Sequence, residues 1–209
     1  MEFKKYSIEG FIKDLSSDSE APGGGSTSAL VLALAGSLNG MVYSLTVGKK
    51  SFQKLIDEDK EKMKSFQSET EKFIETSIEL MEEDSRAFKA LMEGYRLPKD
   101  LEDRGEKIQE LTFNAMNAPF EMAKLGIKFY ENIKFAAQYG NKGLITDAGV
   151  GGILLDSAIN ASILNVKVNL KYFKDETLKE EIKNKISEIM IQSKKEMNEI
   201  LKIVNEEIE

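Results

Sequence analysis

Asp84 breaks the passive pattern of its segment. It stands three residues after Met81 and four before Phe88, on the apolar stripe of a helix-spaced run. A carboxylate there is either desolvated and paired, with Arg86 or a neighbouring helix, or it points into a site. Asp147 directly follows Leu144-Ile145-Thr146 at the head of a charge-poor segment, where an aspartate serves as a helix N-cap or as a site group. Ser162, Asn165 and Asn169 share one helical face. Buried amides there need partners, from other helices or from a ligand offering both donors and acceptors. Gly23-Gly24-Gly25 lead into Ser26-Thr27-Ser28, which brings backbone N–H groups to a helix N-terminus, a place for an anion or a flat polar ring. Lys49 and Lys50, just past Gly48, suit a helix C-terminus and are also available to an anionic tail.

The missing residue types narrow the chemistry further. The 209 residues include no Cys and no His, which excludes disulfides, thiolate nucleophiles, Cys or His zinc sites and Ser-His-Asp or Cys-His catalysis. Carboxylate, lysine, hydroxyl, amide and backbone N–H remain. A formal net charge of -7 argues against broad contact with a phosphate backbone, so nucleic acid is not expected as a partner. Residues 1–10 spread charges among Phe3, Tyr6 and Ile8 without an apolar core, so no secretory signal is expected and the protein is read as cytoplasmic.

These residues must be positioned by helices. Ser7 is placed to cap a short helix over Ile8–Leu15. A helix from about Thr27 to Val47 carries no charge, and Ala29, Ala33, Gly36 and Gly40 line one of its faces. Such a run could cross a membrane. Ser37, Asn39, Ser44 and Thr46 within it, and the absence of aromatic belts, favour instead a buried helix of a soluble bundle. Apolar positions at three- and four-residue spacing predict a long amphipathic helix from Asp59 to about Tyr95 and another over Leu178–Val204. Between them lies a helical stretch over Leu101–Tyr139, with a kink or a new start expected at Pro119. A second charge-depleted helix follows over Asp147–Tyr172. The expectation is one all-α domain over residues 1–209: a bundle of five or six long helices, two of them uncharged, small-residue-rich and central. Those two serve either the monomer core or a homodimer interface.

Ala21-Pro22-Gly23-Gly24-Gly25-Ser26 into an uncharged helix and Leu45-Thr46-Val47-Gly48-Lys49-Lys50 resemble the cyclodeaminase/cyclohydrolase family of tetrahydrofolate enzymes. So do Asp84-Ser85-Arg86-Ala87-Phe88, Leu97-Pro98-Lys99, Gly140-Asn141 with Thr146-Asp147-Ala148-Gly149-Val150, and Asn165-Val166-Lys167-Val168-Asn169-Leu170. The departures are Thr146 where Ser is expected, and Phe52 set one residue beyond the lysine pair by Ser51. The resemblance implies an all-helical homodimer that binds a reduced folate near the glycine loop, with no metal or further cofactor. It implies one of two reactions: hydrolysis of 5,10-methenyltetrahydrofolate to 10-formyltetrahydrofolate, or closure of 5-formiminotetrahydrofolate to the methenyl form with release of ammonia. The first is preferred because one helical domain accounts for the chain, without a transferase domain to hand over formimino folate. Within that frame Asp147 is the first choice for acid–base work and Asp84 the reserve. Gly23, Gly24, Gly25 and Ser26 would cradle the ring, Asn165 and Asn169 would meet the pterin edge, and Lys49, Lys50 and Lys167 the glutamate tail. A non-catalytic helical dimer is the competing expectation, with a membrane-associated helical protein third.

Overall fold

The computed structural model describes residues 2–209, and among them there are helices and connecting turns but no strand. After a 3-10 turn at Phe3–Lys5 come α1 (Ile8–Leu15), α2 (Gly24–Ser44), the single turn α3 (Lys50–Gln53), α4 (Asp57–Arg96) and α5 (Arg104–Tyr139). A second 3-10 turn, Lys142–Leu144, leads into α6 (Ile145–Leu170) and α7 (Glu176–Ile208). Five of the helices are long.

Ser7 caps α1, its hydroxyl accepting from the Gly10 N–H. The uncharged helix α2 starts three residues earlier than its spacing predicts. Thr27 supplies the reason: its N–H and its hydroxyl both donate to the Gly23 carbonyl, drawing Gly24 and Gly25 into the first turn. At the other end Gly48, with φ of 76°, reverses the chain before Lys49.

α2, α4, α5 and α6 form an up-down-up-down bundle. Each consecutive pair runs antiparallel in a register that side chains lock. A Cβ on Gly36 would lie 2.7 Å from the Phe73 ring, so α2 and α4 approach as only glycine allows. Phe73 stacks on Phe129 of α5 with ring centroids 3.8 Å apart, and Tyr130 of α5 reaches Asp156 of α6. α7 lies across α5 and α6, where Ser193 donates to Asp156 and Lys134 pairs with Glu196 and Glu199. A buried polar cluster pins the middle: the Asn39 amide donates to Asn132 Oδ1 at 2.6 Å, Asn132 donates to the Phe66 carbonyl, and Tyr43 donates to the Asn132 carbonyl.

One expectation needs correction here. Pro119 neither breaks nor restarts its helix, since α5 runs unbroken from Arg104 to Tyr139. Its cost is met elsewhere: a proline cannot donate to the carbonyl four residues back, and that carbonyl, on Ala115, accepts instead from the Asn169 amide at 3.3 Å. α2 and α6 are the central uncharged pair that was expected, and each packs on its neighbours through one face and leaves the other outward. Both are long and apolar enough to cross a membrane by length and composition, yet only 56% and 50% of their most apolar stretches are buried.

Candidate active site

The first turn of α2, the C-terminal third of α4 and the last two turns of α6 converge on one small cleft. Asp84 projects from α4 toward the N-terminus of α2. The Ser26 hydroxyl donates to its Oδ2 at 3.1 Å, and the Ser26 backbone N–H faces the same carboxylate. Gly25 is what permits this: a Cβ there would sit 2.0 Å from Asp84 Oδ1. Two hydrogen bonds and a helix N-terminus favour the anion, but burial outweighs them and pushes the Asp84 carboxyl up to about 6. No basic side chain forms an ion pair with it among the described residues, so the Arg86 pairing considered from the sequence does not form. Asp84 is a partly desolvated carboxylate poised near neutral pH.

Opposite it stand two amides. Asn165 donates through Nδ2 to the Ala161 carbonyl and turns its Oδ1 toward Gly24, where a Cβ would lie 3.2 Å away. Asn169 donates to the carbonyls of Ala115 and Asn165. Neither Oδ1 accepts a hydrogen bond among the described residues, which leaves acceptors at the cleft. Phe88, 38% exposed, forms an aromatic wall one turn beyond Asp84, with Ser85 beside it. Glu20 lines the mouth and pairs with Arg96 at the end of α4. The cleft offers a base, free N–H groups at a helix start, amide acceptors and an aromatic face, the equipment for holding a flat polar heterocycle.

The sequence-derived candidates divide between the two ends of the bundle. Gly23, Gly24, Gly25, Ser26, Asp84, Asn165 and Asn169 meet here. Ser162 instead faces Met122 in the core. Lys167 is exposed and approaches Met190, two residues out of phase with the amides. Asp147 does not cap α6. Leu144 holds that position and Asp147 lies in the first turn, about 27 Å along the helix from Asn165 at 1.5 Å per residue. Lys49 and Lys50 share that far end, where the Asn141 N–H donates to Thr46 and ties the α5–α6 connection to the end of α2. Ser85, Phe88, Glu20 and Ala115 were not singled out from sequence. Phe88 had a signal, being one helical turn from Asp84 on the same face, whereas Ala115 joins only through the α5–α6 crossing.

The sequence profile of the formiminotransferase-cyclodeaminase family matches residues 7–188. The chain belongs to this family. Among the relatives of this family member is the methenyltetrahydrofolate cyclohydrolase of Methylorubrum extorquens, 32% identical over 178 residues that cover 83% of this chain and 84% of that one. The formimidoyltransferase-cyclodeaminase of Mus musculus is 28% identical over 192 residues, covering 90% of this chain and 35% of its own length. The chain thus spans about a third of the length of the bifunctional relatives it matches. The crystal structure of formiminotetrahydrofolate cyclodeaminase from Thermotoga maritima superposes with a TM-score of 0.89, each chain covering 100% of the other, at 22% identity. That likeness establishes the fold.

Proposed function

We propose that this folate-family member binds a reduced folate in the glycine-end cleft and hydrolyses 5,10-methenyltetrahydrofolate to 10-formyltetrahydrofolate, with Asp84 as the general base. The observation that carries the reading is the single desolvated carboxylate held against the N-terminus of α2 by Ser26 and Gly25. Above pH about 6 this group is ionised, and it attracts the cationic amidinium carbon that bridges N5 and N10. Asp84 takes a proton from the attacking water, so a neutral tetrahedral carbinol forms on the bridging carbon. It returns that proton to N5 as the carbon–N5 bond breaks. The carbinol hydroxyl then loses its proton to solvent, leaving the formyl group on N10. The free Oδ1 atoms of Asn165 and Asn169 accept from the pterin amino edge, and Phe88 stacks on the ring face.

A second reading, cyclodeaminase, is favoured by the relationship to the bifunctional mouse protein. In that reaction N10 attacks the formimino carbon and Asp84 protonates the departing ammonia, so the same carboxylate serves. The methenyl chromophore separates the two readings in one ultraviolet assay. Bleaching of added methenyltetrahydrofolate above the uncatalysed rate is the expected result. Appearance of the chromophore from 5-formiminotetrahydrofolate, with no acceleration of its loss, would replace the first reaction by the second. Neither change would return the protein to a non-catalytic helical role.

A further inference from the structure

The charged side chains that line the cleft, Glu20 and Asp84, are both acidic. A reduced folate with a bridging amidinium is cationic at its reacting carbon and anionic at the carboxylates of its tail. Asp84 answers the cation, and the lining residues hold nothing for the carboxylates. The cleft is also small: about 140 Å³ compares with roughly 300–1,000 Å³ for small-molecule sites, so a tail has to leave through the mouth. α4 gives it a direction. Ser85, Phe88, Met92 and Arg96 follow one another at three- and four-residue spacing and share one face of that helix. Ser85 and Phe88 line the cleft, Met92 is half-buried one turn further on, and Arg96 ends the helix about 16 Å beyond Ser85. The backbone around Arg96 is pinned. Arg104 folds back over the end of α4, donating from Nε to the Leu97 carbonyl at 3.1 Å and from Nη2 to the Tyr95 carbonyl at 3.0 Å. The Arg96 guanidinium itself pairs with Glu20, its one polar partner among the described residues. Both side chains of that pair are exposed, so it is readily exchanged.

We propose that Arg96 receives the carboxylates of the folate tail, and that Glu20 holds this arginine in the empty protein as a built-in competitor which the tail displaces. The assignment rests on the folate reading above and adds the direction in which the ligand lies. Along α4 the order is carboxylate, apolar step, cation: Asp84, then Phe88 and Met92, then Arg96. A methenyl folate presents the complement in the same order, from amidinium through aryl ring to tail carboxylates. The pterin stays with Asn165 and Asn169, and the aryl ring leaves the cleft over Met92. The planar fork of the guanidinium takes a ligand carboxylate as well as it takes that of Glu20. The exchange therefore costs little for a ligand with a tail. A ligand without one leaves Glu20 on Arg96 and gains nothing there. Arg96 is thus a specificity-determining residue, and Glu20 sets how strongly it discriminates.

The experiment compares 5,10-methenyltetrahydrofolate with the corresponding pteroyl amide, which keeps the reacting carbon and both rings but lacks the tail carboxylates. Arg96→Gln should raise KM for the folate by about tenfold, leave kcat within about twofold, and leave KM for the amide unchanged. Glu20→Gln should lower KM for the folate by about two- to fivefold. Added to Arg96→Gln it should gain nothing, because its effect passes through the arginine. An equal rise in KM for both substrates would make Arg96 structural and overturns the proposal. So does a gain from Glu20→Gln that persists without Arg96, since Glu20 would then act only as a diffuse repulsive charge. The tail fragment reads the same subsite apart from the reaction. In calorimetric titrations p-aminobenzoylglutamate should bind Glu20→Gln at least about twofold more tightly than wild type, and adding Arg96→Gln should abolish the gain. p-Aminobenzamide, which has no carboxylate, should not distinguish these proteins. Absence of an Arg96-dependent preference for the fragment overturns the subsite even where both folates are turned over. Wild type inactive on both folates sinks the reaction reading, and the fragment titrations still decide the role of Arg96.

Discussion

At the glycine end of the α2–α6 pair, three helices close around one carboxylate; at the lysine end, the same two helices finish in exposed cations and a loop tied down through Thr46 and Asn141. Both ends carry an aspartate that looks functional in sequence, on the stripe of α4 or at the head of α6. Their surroundings differ. Asp84 lies under the start of α2, where glycine lets backbone come within van der Waals range of its oxygens, and burial raises its proton affinity. Asp147 stands in an open first turn and makes no hydrogen bond through its side chain among the described residues. What raises the proton affinity of Asp84 is therefore the convergence of elements around it rather than its position in a motif.

The sharpest way to break that comparison is Asp84→Asn, which keeps the size and the hydrogen bond from Ser26 but removes the base. Turnover should fall by at least about a hundredfold, with folate binding retained. Comparable rates would move the chemistry to another group. Gly25→Ala comes next. Its added Cβ would overlap the Asp84 carboxylate, which must swing away, so turnover should fall by about ten- to a hundredfold while helical content stays unchanged in circular dichroism. The matching change at the lysine end, Gly143→Ala, meets nothing closer than 3.4 Å and should leave turnover within about twofold.

Titration sharpens the same point. A base with its pKa near 6 predicts kcat/KM that is level above pH about 7 and falls tenfold per unit well below 6. Stability moves the other way. The folded-state value lies above the ordinary 3.8, so the folded protein binds this proton more tightly than the unfolded chain does. As pH rises from about 4 to about 6 the group therefore withdraws stability, and the whole cost is present above 6. Asp84→Asn should accordingly stabilise the protein by about 1–3 kcal/mol at pH 8 and by almost nothing at pH 4. Urea melts at the two pH values measure it. A variant equally or less stable at pH 8 would mean that Asp84 is not a desolvated charge.

Much of this was legible in the sequence. Three- and four-residue spacing located α4 and α7, depletion of charge located α2 and α6, and the off-pattern Asp84 and the glycine run before α2 pointed to the cleft. What periodicity could not supply was the third dimension. It places Asp84 and Gly25 on separate helices without showing that they touch, and it places Asp147 and Asn165 on one helix without showing that they serve opposite ends. The start of α2 was set late because three glycines look like loop, and only the backward bonds of Thr27 make them helical. Asp147 looked like a cap because the short Lys142–Leu144 turn, fixed by the Asn141 side chain accepting from the Gly143 N–H, takes over the start of α6. How far α2 and α6 face outward was left open in the sequence, since a stripe of small residues describes only the face that packs.

The smallest expected effect concerns Asn169, where a folding role and a site role coincide. Its amide donates to the Ala115 carbonyl that Pro119 leaves without a helical partner, and Ala115 itself lines the cleft. Asn169→Ala should leave that carbonyl to whatever water can reach it, at a cost of about 1 kcal/mol, close to the net worth of one hydrogen bond. If stability is the only role, replacing the proline restores what was lost: in Pro119→Ala the residue 119 N–H can donate to Ala115, and adding Asn169→Ala on that background should cost much less. If Asn169 also meets the pterin edge, its loss raises KM on either background, because the proline change does nothing for the ligand. A double-mutant cycle that reads both melting temperature and KM separates the two contributions. Coupling in stability with an independent rise in KM is the expected pattern. An unchanged KM would confine Asn169 to supplying the hydrogen bond that Pro119 cannot give to Ala115.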